Sequence, residues 1–274
     1  MATAAQLNNV RNHFDKYFMQ TADINLDVAP YNQGEGWVPI GIWDTPFTGL
    51  YDGTGKTISG LRINRASGSG AGLFGAAKGA AFRNLTLANV EIMGEYGVGG
   101  LAGIVADLEG APTQIQDVHL TLGSMSGYSR VGGLVGALAG SNILGSAADC
   151  TVTGVEQCIG GLVGQVDSPA TISECHATGN ATVSGTGLGQ SVGGLAGNVA
   201  DSCTVTMSYA SGNVTGKKYV GGLVGHNAGE IRESYAVGAV EGADSIGGLV
   251  GHNYGGQISR CFASGDAKGF SDDA

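Results

Sequence analysis

Carboxylates recur in the middle of this sequence at similar intervals, at Asp117, Asp149 and Glu174. Carboxylate oxygens are the ligands that Ca²⁺ prefers, so three of them stacked in a row would bind that ion. Acids held as a pair are also what a polysaccharide hydrolase or lyase would use. The simplest interpretation is a solvated acidic face, and a Ca²⁺ site and an enzyme site are the alternatives.

Aromatic rings recur toward the C-terminus at His176, Tyr209, Tyr235 and Phe262. Exposed rings of this kind contact sugars or protein partners, because they offer a large apolar surface with a polar edge. The alternative is that rings of neighbouring repeats stack on one another for stability alone. These four residues are the candidate ligand-binding residues of the chain.

Two identical dipeptides, His226-Asn227 and His252-Asn253, lie 26 residues apart. Stacked imidazoles bind transition metals. No carboxylate or thiol keeps a fixed spacing to this pair, however. We therefore expect these histidines to lie in turns.

A repeated glycine-rich cluster must position all of these residues. Its consensus is V/I-G-G-L-V/A-G, and the copies begin 28, 33, 28, 33, 28 and 26 residues apart. Self-similarity at such a period is typical of stacked arrays, in which no repeat buries its apolar face alone. The copies, starting with a degenerate one, are Gly70–Gly75, Val98–Gly103, Val131–Gly136, Ile159–Gly164, Val192–Gly197, Val220–Gly225 and Ile246–Gly251.

A second segment follows each glycine cluster, with small or apolar residues at its fourth and sixth positions. That spacing of two predicts a strand with one face inward. Three short strands per repeat, with glycine at the corners, predict an all-β fold: a right-handed parallel β-helix, or β-solenoid, of nine or ten coils. The copies of this segment are Phe82–Leu87, Ile115–Leu120, Ala147–Val152, Ile172–Ala177, Val205–Ala210, Ile231–Ala236 and Ile258–Ala263.

Stacked coils turn each position of the second segment into a row along the molecule. The third position carries the carboxylates and the outward fifth position carries the aromatic rings. The fourth position faces inward, and its cysteines act there as small apolar side chains. A disulfide between Cys150 and Cys175 is the alternative. The inward row is Leu85, Val118, Cys150, Cys175, Ser208, Ser234 and Cys261.

The chain divides into three parts on this interpretation. Residues 1–30 form an N-terminal cap of a helix and the first strand, residues 31–70 form entry coils, and residues 71–274 form the repeat β-helix. The sequence stops where another repeat should begin, so we expect a longer parent chain. The helix is predicted from apolar residues at helical spacing. They are Leu7, Val10, Phe14 and Tyr17.

The longer intervals imply insertions of about five residues, near Glu109–Thr113 and Thr186–Gln190. Inserted loops project from a β-helix and carry recognition in many proteins.

Composition excludes several functions. The net charge of −10 argues against nucleic acid, whose phosphates require Lys and Arg. No apolar run approaches the length needed to insert into a membrane. An apolar fraction of 42% with 13% charged residues disfavours disorder.

The repeated V/I-G-G-L-V/A-G with a downstream S-Y-A-x-G resembles the GLUG motif of large bacterial surface proteins. These include filamentous-haemagglutinin-like adhesins and the non-catalytic regions of IgA-peptidase-type proteins. The entry segments Asp23–Leu26, Pro39–Gly41 and Pro46–Leu61 are similar to the usual lead-in of such arrays. The likeness covers residues 6–270, with Ala71 replacing a glycine in the first copy.

The resemblance implies a repeat scaffold that is extracellular or displayed on the bacterial cell surface, without catalytic residues to carry over. We expect a structural or binding module of an adhesin, not an enzyme. Its partner would be a glycan or surface protein of a host or neighbouring cell. The alternatives are a carbohydrate-active β-helix enzyme, a spacer that binds nothing and, as a minor one, an ice-binding protein.

Overall fold

The chain forms a parallel β-solenoid of about nine turns, as predicted, with one short helix at the N-terminus. The computed structural model describes residues 1–167, 169–184 and 190–270. Each coil of the repeat region contributes strands to three parallel sheets that run the length of the molecule.

The first sheet also receives strands from the N-terminal segment. Its strands are Tyr17–Met19, Ile24–Asn25, Leu50–Ser59, Arg62–Asn64, Ala81–Met93, Gln114–Ser126, Asn142–Leu144, Ala147–Gly154, Thr171–Ser173, His176–Ala177, Ala181–Val183, Thr204–Thr206, Tyr209–Ala210, Val214–Thr215, Glu230–Arg232, Tyr235–Ala236, Val240–Gly242, Gln257–Ser259, Phe262–Ala263 and Ala267–Gly269.

The glycine clusters lie at the corner between the second and third sheets. The strands of the second sheet are Ser69–Ala71, Tyr96–Val98, Ser129–Gly132, Gln157–Gly160, Gln190–Gly193, Lys218–Gly221 and Asp244–Gly247. The strands of the third sheet are Phe74–Lys78, Ala102–Ala106, Val135–Ala139, Val163–Asp167, Ala196–Val199, Val224–Asn227 and Val250–Asn253.

The core is a set of apolar rows parallel to the axis. Val192 pairs in register with Val220, and the leucine of each glycine cluster is buried, as at Leu195 and Leu223. A single coil would leave its apolar side chains exposed to water on both sides, so these side chains are buried only when coils lie above and below. For this reason no copy of the motif has a charged residue at these apolar positions.

The last glycine of the motif lets two coils approach closely. A β-carbon added to Gly197 would lie 2.6 Å from the carbonyl carbon of Cys158 and from the carbonyl oxygen of Gly164. Carbon atoms do not approach backbone atoms to that distance without displacing them. Glycine at this position therefore allows the backbones of the second and third sheets in neighbouring coils to approach closely.

The N-terminal helix is shorter than its periodicity predicted. It spans Ala4–Asn8 and continues as a 3₁₀-helix over Asn9–Asn12, so it includes Leu7 and Val10 but neither Phe14 nor Tyr17. Tyr17 begins a strand that pairs with Leu50. Strand pairing here is more favourable than continuation of the helix. The first coil therefore begins within the predicted cap. No helix in the described part of the chain is long and apolar enough to cross a membrane.

One copy of the second segment was assigned to the wrong residues. The structure pairs Ala147 with His119 and Ile143 with Ile115, so the copy in this coil is Ile143–Ala148, four residues before the predicted one. Its inward fourth residue is Ser146 instead of Cys150. A slip by an even number keeps each residue on the same face of a strand, which is why Cys150 is buried nonetheless.

All five cysteines are free, and the alternative of a Cys150–Cys175 disulfide is wrong because these residues belong to different rows. Burial raises the pKa of Cys150, Cys158 and Cys175 to about 12. These thiols are therefore protonated at neutral pH and pack as small apolar groups.

The first predicted insertion forms a small hairpin. Leu108 and Ala111 donate backbone N–H groups to each other's carbonyl oxygens at 2.9 Å. Glu109 and Gly110 between them have φ of 51° and 85°, as in the two-residue turns that close hairpins. The second insertion, at Thr186–Gln190, lies outside the described residues except for Gln190.

Replacing Gly197 with Ala is expected to lower the free energy of unfolding by about 1–3 kcal/mol, because the added methyl group overpacks two backbones. Gly269→Ala is the control, since its β-carbon would meet Ile246 Cδ1 at an ordinary 3.7 Å. Urea unfolding followed by circular dichroism measures both. Equal effects of the two substitutions would contradict the close-packing role of Gly197.

Candidate functional site

The structure brings the four predicted aromatic residues into one row. His176, Tyr209, Tyr235 and Phe262 are successive partners in the first sheet. Their ring centroids are 4.8, 5.0 and 4.9 Å apart, and neighbouring ring planes deviate by 1°, 4° and 5°. We call this row the aromatic ladder. Its spacing equals that of the strands, because each ring extends from the same position of successive coils.

The ladder exposes ring edges more than ring faces. Each inner ring is covered on both faces by its neighbours, and the side chains of His176, Tyr209 and Tyr235 are half-buried. Phe262, at the C-terminal end, is 58% exposed. The ladder therefore presents a narrow apolar strip carrying the two tyrosine hydroxyl groups, one per coil. Burial, and then the positive charge of His119, lower the pKa of His176.

The carboxylate row coincides with a left-handed corner of the backbone. The third residue of every copy has a φ between 48° and 59°. Asn, Asp and Gly tolerate this conformation better than other residues, which accounts for Asn84, Asp117 and Gly145 but not for the Glu, Met and Arg residues of the row. The corner residues are Asn84, Asp117, Gly145, Glu174, Met207, Glu233 and Arg260.

The predicted Ca²⁺ ligands Asp117, Asp149 and Glu174 do not come together, and their predicted row is wrong. Asp149 pairs with Thr121 in the strand beyond the corner, because of the four-residue register error. Gly145 occupies the corner between Asp117 and Glu174, so these two acids are two coil spacings apart, roughly 10 Å. In residues 1–167, 169–184 and 190–270, no group of three His, Cys, Asp or Glu residues could hold a metal ion. The proposed pair of catalytic acids loses its basis for the same reason.

Four rings from the second sheet, the third sheet and the turn that follows the third sheet lie close together. His226 and His252 are partners on the strands Val224–Asn227 and Val250–Asn253, so the expectation that they lie in turns is wrong. Their rings are 5.1 Å apart, and Tyr219 stacks on His252 at 4.6 Å. The ring centroid of Tyr254 lies 6.2 Å from that of His226 and 6.1 Å from that of His252. We call this group the histidine cluster.

The sequence identified the two histidines of the cluster but missed its tyrosines. Tyr219 belongs to the second sheet, and only the folding of that sheet against the third brings it to His252. His226 Nδ1 lies 3.0 Å from Asn198 Oδ1 in the preceding coil. Partial burial, and then the charge of His252, lower the pKa of His226. The cluster therefore favours the neutral form of the His226 imidazole.

The fold defines a class of protein: a parallel β-solenoid built from tandem repeats, with its side-chain chemistry displayed as rows on the lateral faces. Within that class the motif identifies the repeat. The chain carries GLUG motifs, matched over residues 155–184, 189–215, 216–241 and 242–267. The resemblance seen in the sequence is thereby confirmed.

Two curated relatives share part of the sequence. Halomucin of Haloquadratum walsbyi is 35% identical over 141 residues, which is 50% of this chain and 2% of halomucin. A protein of Evansella cellulosilytica named "Putative Gly-rich membrane protein" is 38% identical over 111 residues, which is 39% of this chain and 12% of that protein. The chain thus matches only a small fraction of each relative's length.

Two solved structures share the fold. The crystal structure of a "putative immunoglobulin A1 protease from Bacteroides ovatus" matches 98% of this chain and 83% of its own, with a TM-score of 0.75 and 22% identity. A structure named "IgA1 Protease" matches 97% of this chain and 21% of its own, with a TM-score of 0.61 and 18% identity. At these identities the likeness shows the fold alone.

The left-handed corner predicts a stabilising substitution at Met207, which has a φ of 48° and is 48% exposed. Met207→Asn is expected to raise the free energy of unfolding by up to about 1 kcal/mol, because Asn tolerates this backbone conformation. The matched control is Met93→Asn in a strand, where the methionine is 45% exposed and Asn is disfavoured. Stabilisation by both substitutions, measured by urea unfolding, would show that the corner is not responsible.

The lowered pKa of His226 predicts that stability falls at acidic pH. The unfolded chain binds a proton on His226 at a higher pH than the folded chain does. Between the two pKa values the unfolded state therefore holds more protons, and the free energy of unfolding decreases as pH drops.

Urea midpoints measured from about pH 7.5 to about pH 5.5 test this prediction. His226→Gln should flatten part of the slope, and His13→Gln, at an exposed position, should leave it unchanged. An identical slope in His226→Gln and the unaltered protein would contradict the prediction.

Proposed function

We propose that this chain is a structural and binding module of a secreted or surface-displayed protein, and that it binds its partner through the aromatic ladder. The observation that carries the proposal is the ladder itself: four parallel, stacked rings on consecutive coils, on an outward face of the first sheet. The GLUG repeats and the names of the relatives, a halomucin and a Gly-rich membrane protein, support the surface or extracellular location.

The ladder suits an extended glycan that lies along the solenoid axis. Tyr209 and Tyr235 offer one hydroxyl group per coil, and the sugar repeat of an extended β-linked glycan is close to the coil spacing. Each hydroxyl can donate a hydrogen bond to a sugar oxygen while the apolar ring edges contact the carbon-bound hydrogens. A glycan of a host or neighbouring cell is thus the favoured partner, and a surface protein is the alternative.

We also propose that the module has no catalytic activity of its own. Asp117, Asp149 and Glu174, the candidate residues for a polysaccharide hydrolase or lyase, are on different rows or different coils. The structural neighbours named as IgA1 proteases share the fold at 18–22% identity, which carries no activity over to this chain. No feature of the described residues favours the enzyme over the binding module.

Binding to a glycan array, followed by titration of the best ligand, tests the proposal. Tyr235→Ala removes a central ring and is expected to weaken binding at least about 30-fold, in line with an aromatic anchor worth about 2 kcal/mol or more. Tyr235→Phe keeps the stack and removes only the hydroxyl group, so it should weaken binding less. Tyr254→Ala is the control, because Tyr254 is 71% exposed on another face.

Three results would overturn the proposal. They are equal affinity of Tyr235→Ala and the unaltered protein, equal loss in Tyr254→Ala, and absence of any glycan or protein ligand. Release of reducing sugar from a bound polysaccharide would overturn the non-catalytic part. Thermal unfolding of each variant separates loss of binding from loss of the fold.

A further inference from the structure

A second exposed aromatic group lies on another part of the surface, where the first sheet of each coil turns into the second. Tyr128 N donates a hydrogen bond of 2.8 Å to the carbonyl oxygen of Glu95, and Glu156 N donates one of 2.8 Å to the carbonyl oxygen of Tyr128. These bonds stack Glu95, Tyr128 and Glu156 on three consecutive coils. The central tyrosine is thus bracketed by two carboxylates, one coil spacing away on each side.

Tyr96, which follows Glu95, completes the group with a second ring. The rings of Tyr96 and Tyr128 are 5.5 Å apart and inclined by 73°, so they form a corner instead of a stack. They are 41% and 39% exposed. In the aromatic ladder neighbouring rings cover each other's faces, whereas two rings inclined by 73° can cover at most one face of one ring.

The charge around the corner is negative. Partial burial, and then the charges of Glu156 and Glu95, raise the pKa of the Tyr128 phenol. Both glutamates are only half-buried, and their backbones lie one coil away from Tyr128. Glu95 Oε2 also accepts a hydrogen bond of 3.0 Å from Gly68 N. The face of an aromatic ring is itself negative, so carboxylates and rings attract the same kind of ligand.

Other aromatic rings of the chain, two at the surface and the buried ring of Trp37, already hold a cation. Lys78 Nζ lies 3.4 Å from the ring centroid of Trp43, Lys218 Nζ 4.8 Å from that of Tyr219, and Arg11 Cζ 5.6 Å from that of Trp37. No Lys or Arg of the described residues is placed over Tyr96 or Tyr128. The corner has the features of a cation–π site without the cation.

We propose that Tyr96, Tyr128, Glu95 and Glu156 form a binding site for an ammonium group of a ligand. The two rings contact the carbon atoms attached to nitrogen, and the two carboxylates neutralise its charge. Lysine side chains of a protein and quaternary ammonium groups such as choline both carry this chemistry. The site is separate from the aromatic ladder and does not depend on glycan binding there.

Titration of the full chain with choline, with tetramethylammonium and with an amide-capped lysine, followed by NMR or calorimetry, tests the proposal. The uncharged tert-butyl analogue of choline is the critical control, because it has the same shape without the charge. We expect saturable binding of at least one ammonium compound, weaker binding at high salt, and much weaker binding of the uncharged analogue. A preference for choline or for the lysine amide identifies the source of the ammonium group, and either preference supports the site.

Variants assign the binding to the corner. Tyr128→Leu should weaken binding roughly 3- to 30-fold, as expected for loss of a cation–π contact, while Tyr128→Phe should retain most of the affinity. Glu156→Gln should weaken binding and reduce its salt dependence. Tyr254→Leu is the matched control at an exposed tyrosine outside the corner.

Equal binding of the uncharged analogue, unchanged affinity in Tyr128→Leu, or no saturable binding of any ammonium compound would overturn the proposal. Glycan binding measured on the same Tyr128→Leu variant should stay intact, which keeps this test independent of the test of the aromatic ladder.

Discussion

The rest of the structure depends on the in-register hydrogen bonding of one coil to the next. Parallel pairing spaces successive coils by about 4.8 Å and places the same motif position directly above its equivalent. Apolar residues thereby meet apolar residues, and glycine meets the backbone of the neighbouring coil. A repeat that deviated at an inward position would expose or overpack the core of two neighbours as well as its own.

This constraint also decides what kind of functional site the chain can build. A side chain on the lateral surface has its nearest neighbours one coil above and one coil below, so chemistry arises from rows. Four aromatic residues in one row cover each other's faces, so mainly the edges of their rings are exposed to solvent. Tyr96 and Tyr128, which are offset by one position, instead form a corner. The difference between the two arrangements is one residue of register.

The sequence predicted the fold, the position of the glycine clusters at corners between strands, and the aromatic ladder, because these follow from the repeat spacing. It failed where the motif was locally ambiguous. Small residues at Gly145 and Ser146 hid the correct copy, and the apolar pattern four residues later took its place. That error alone produced the false carboxylate row at Asp117 and Asp149. The helical pattern of Phe14 and Tyr17 failed for a different reason, because strand pairing with Leu50 outweighed it.

The sequence by itself determined the parallel β-solenoid. The inward apolar side chains recur with a period of about thirty residues, and they can be buried only if the repeats stack on one another. It also determined which residue types recur at the surface. Only the tertiary structure decided which residues meet outside the rows that the repeat spacing predicts. The cluster of His226 and His252 with Tyr219, and the corner of Tyr96 and Tyr128, join residues of different strands or coils, and their contacts depend on the angle between sheets and on register. Neither quantity is encoded in the spacing of a single motif.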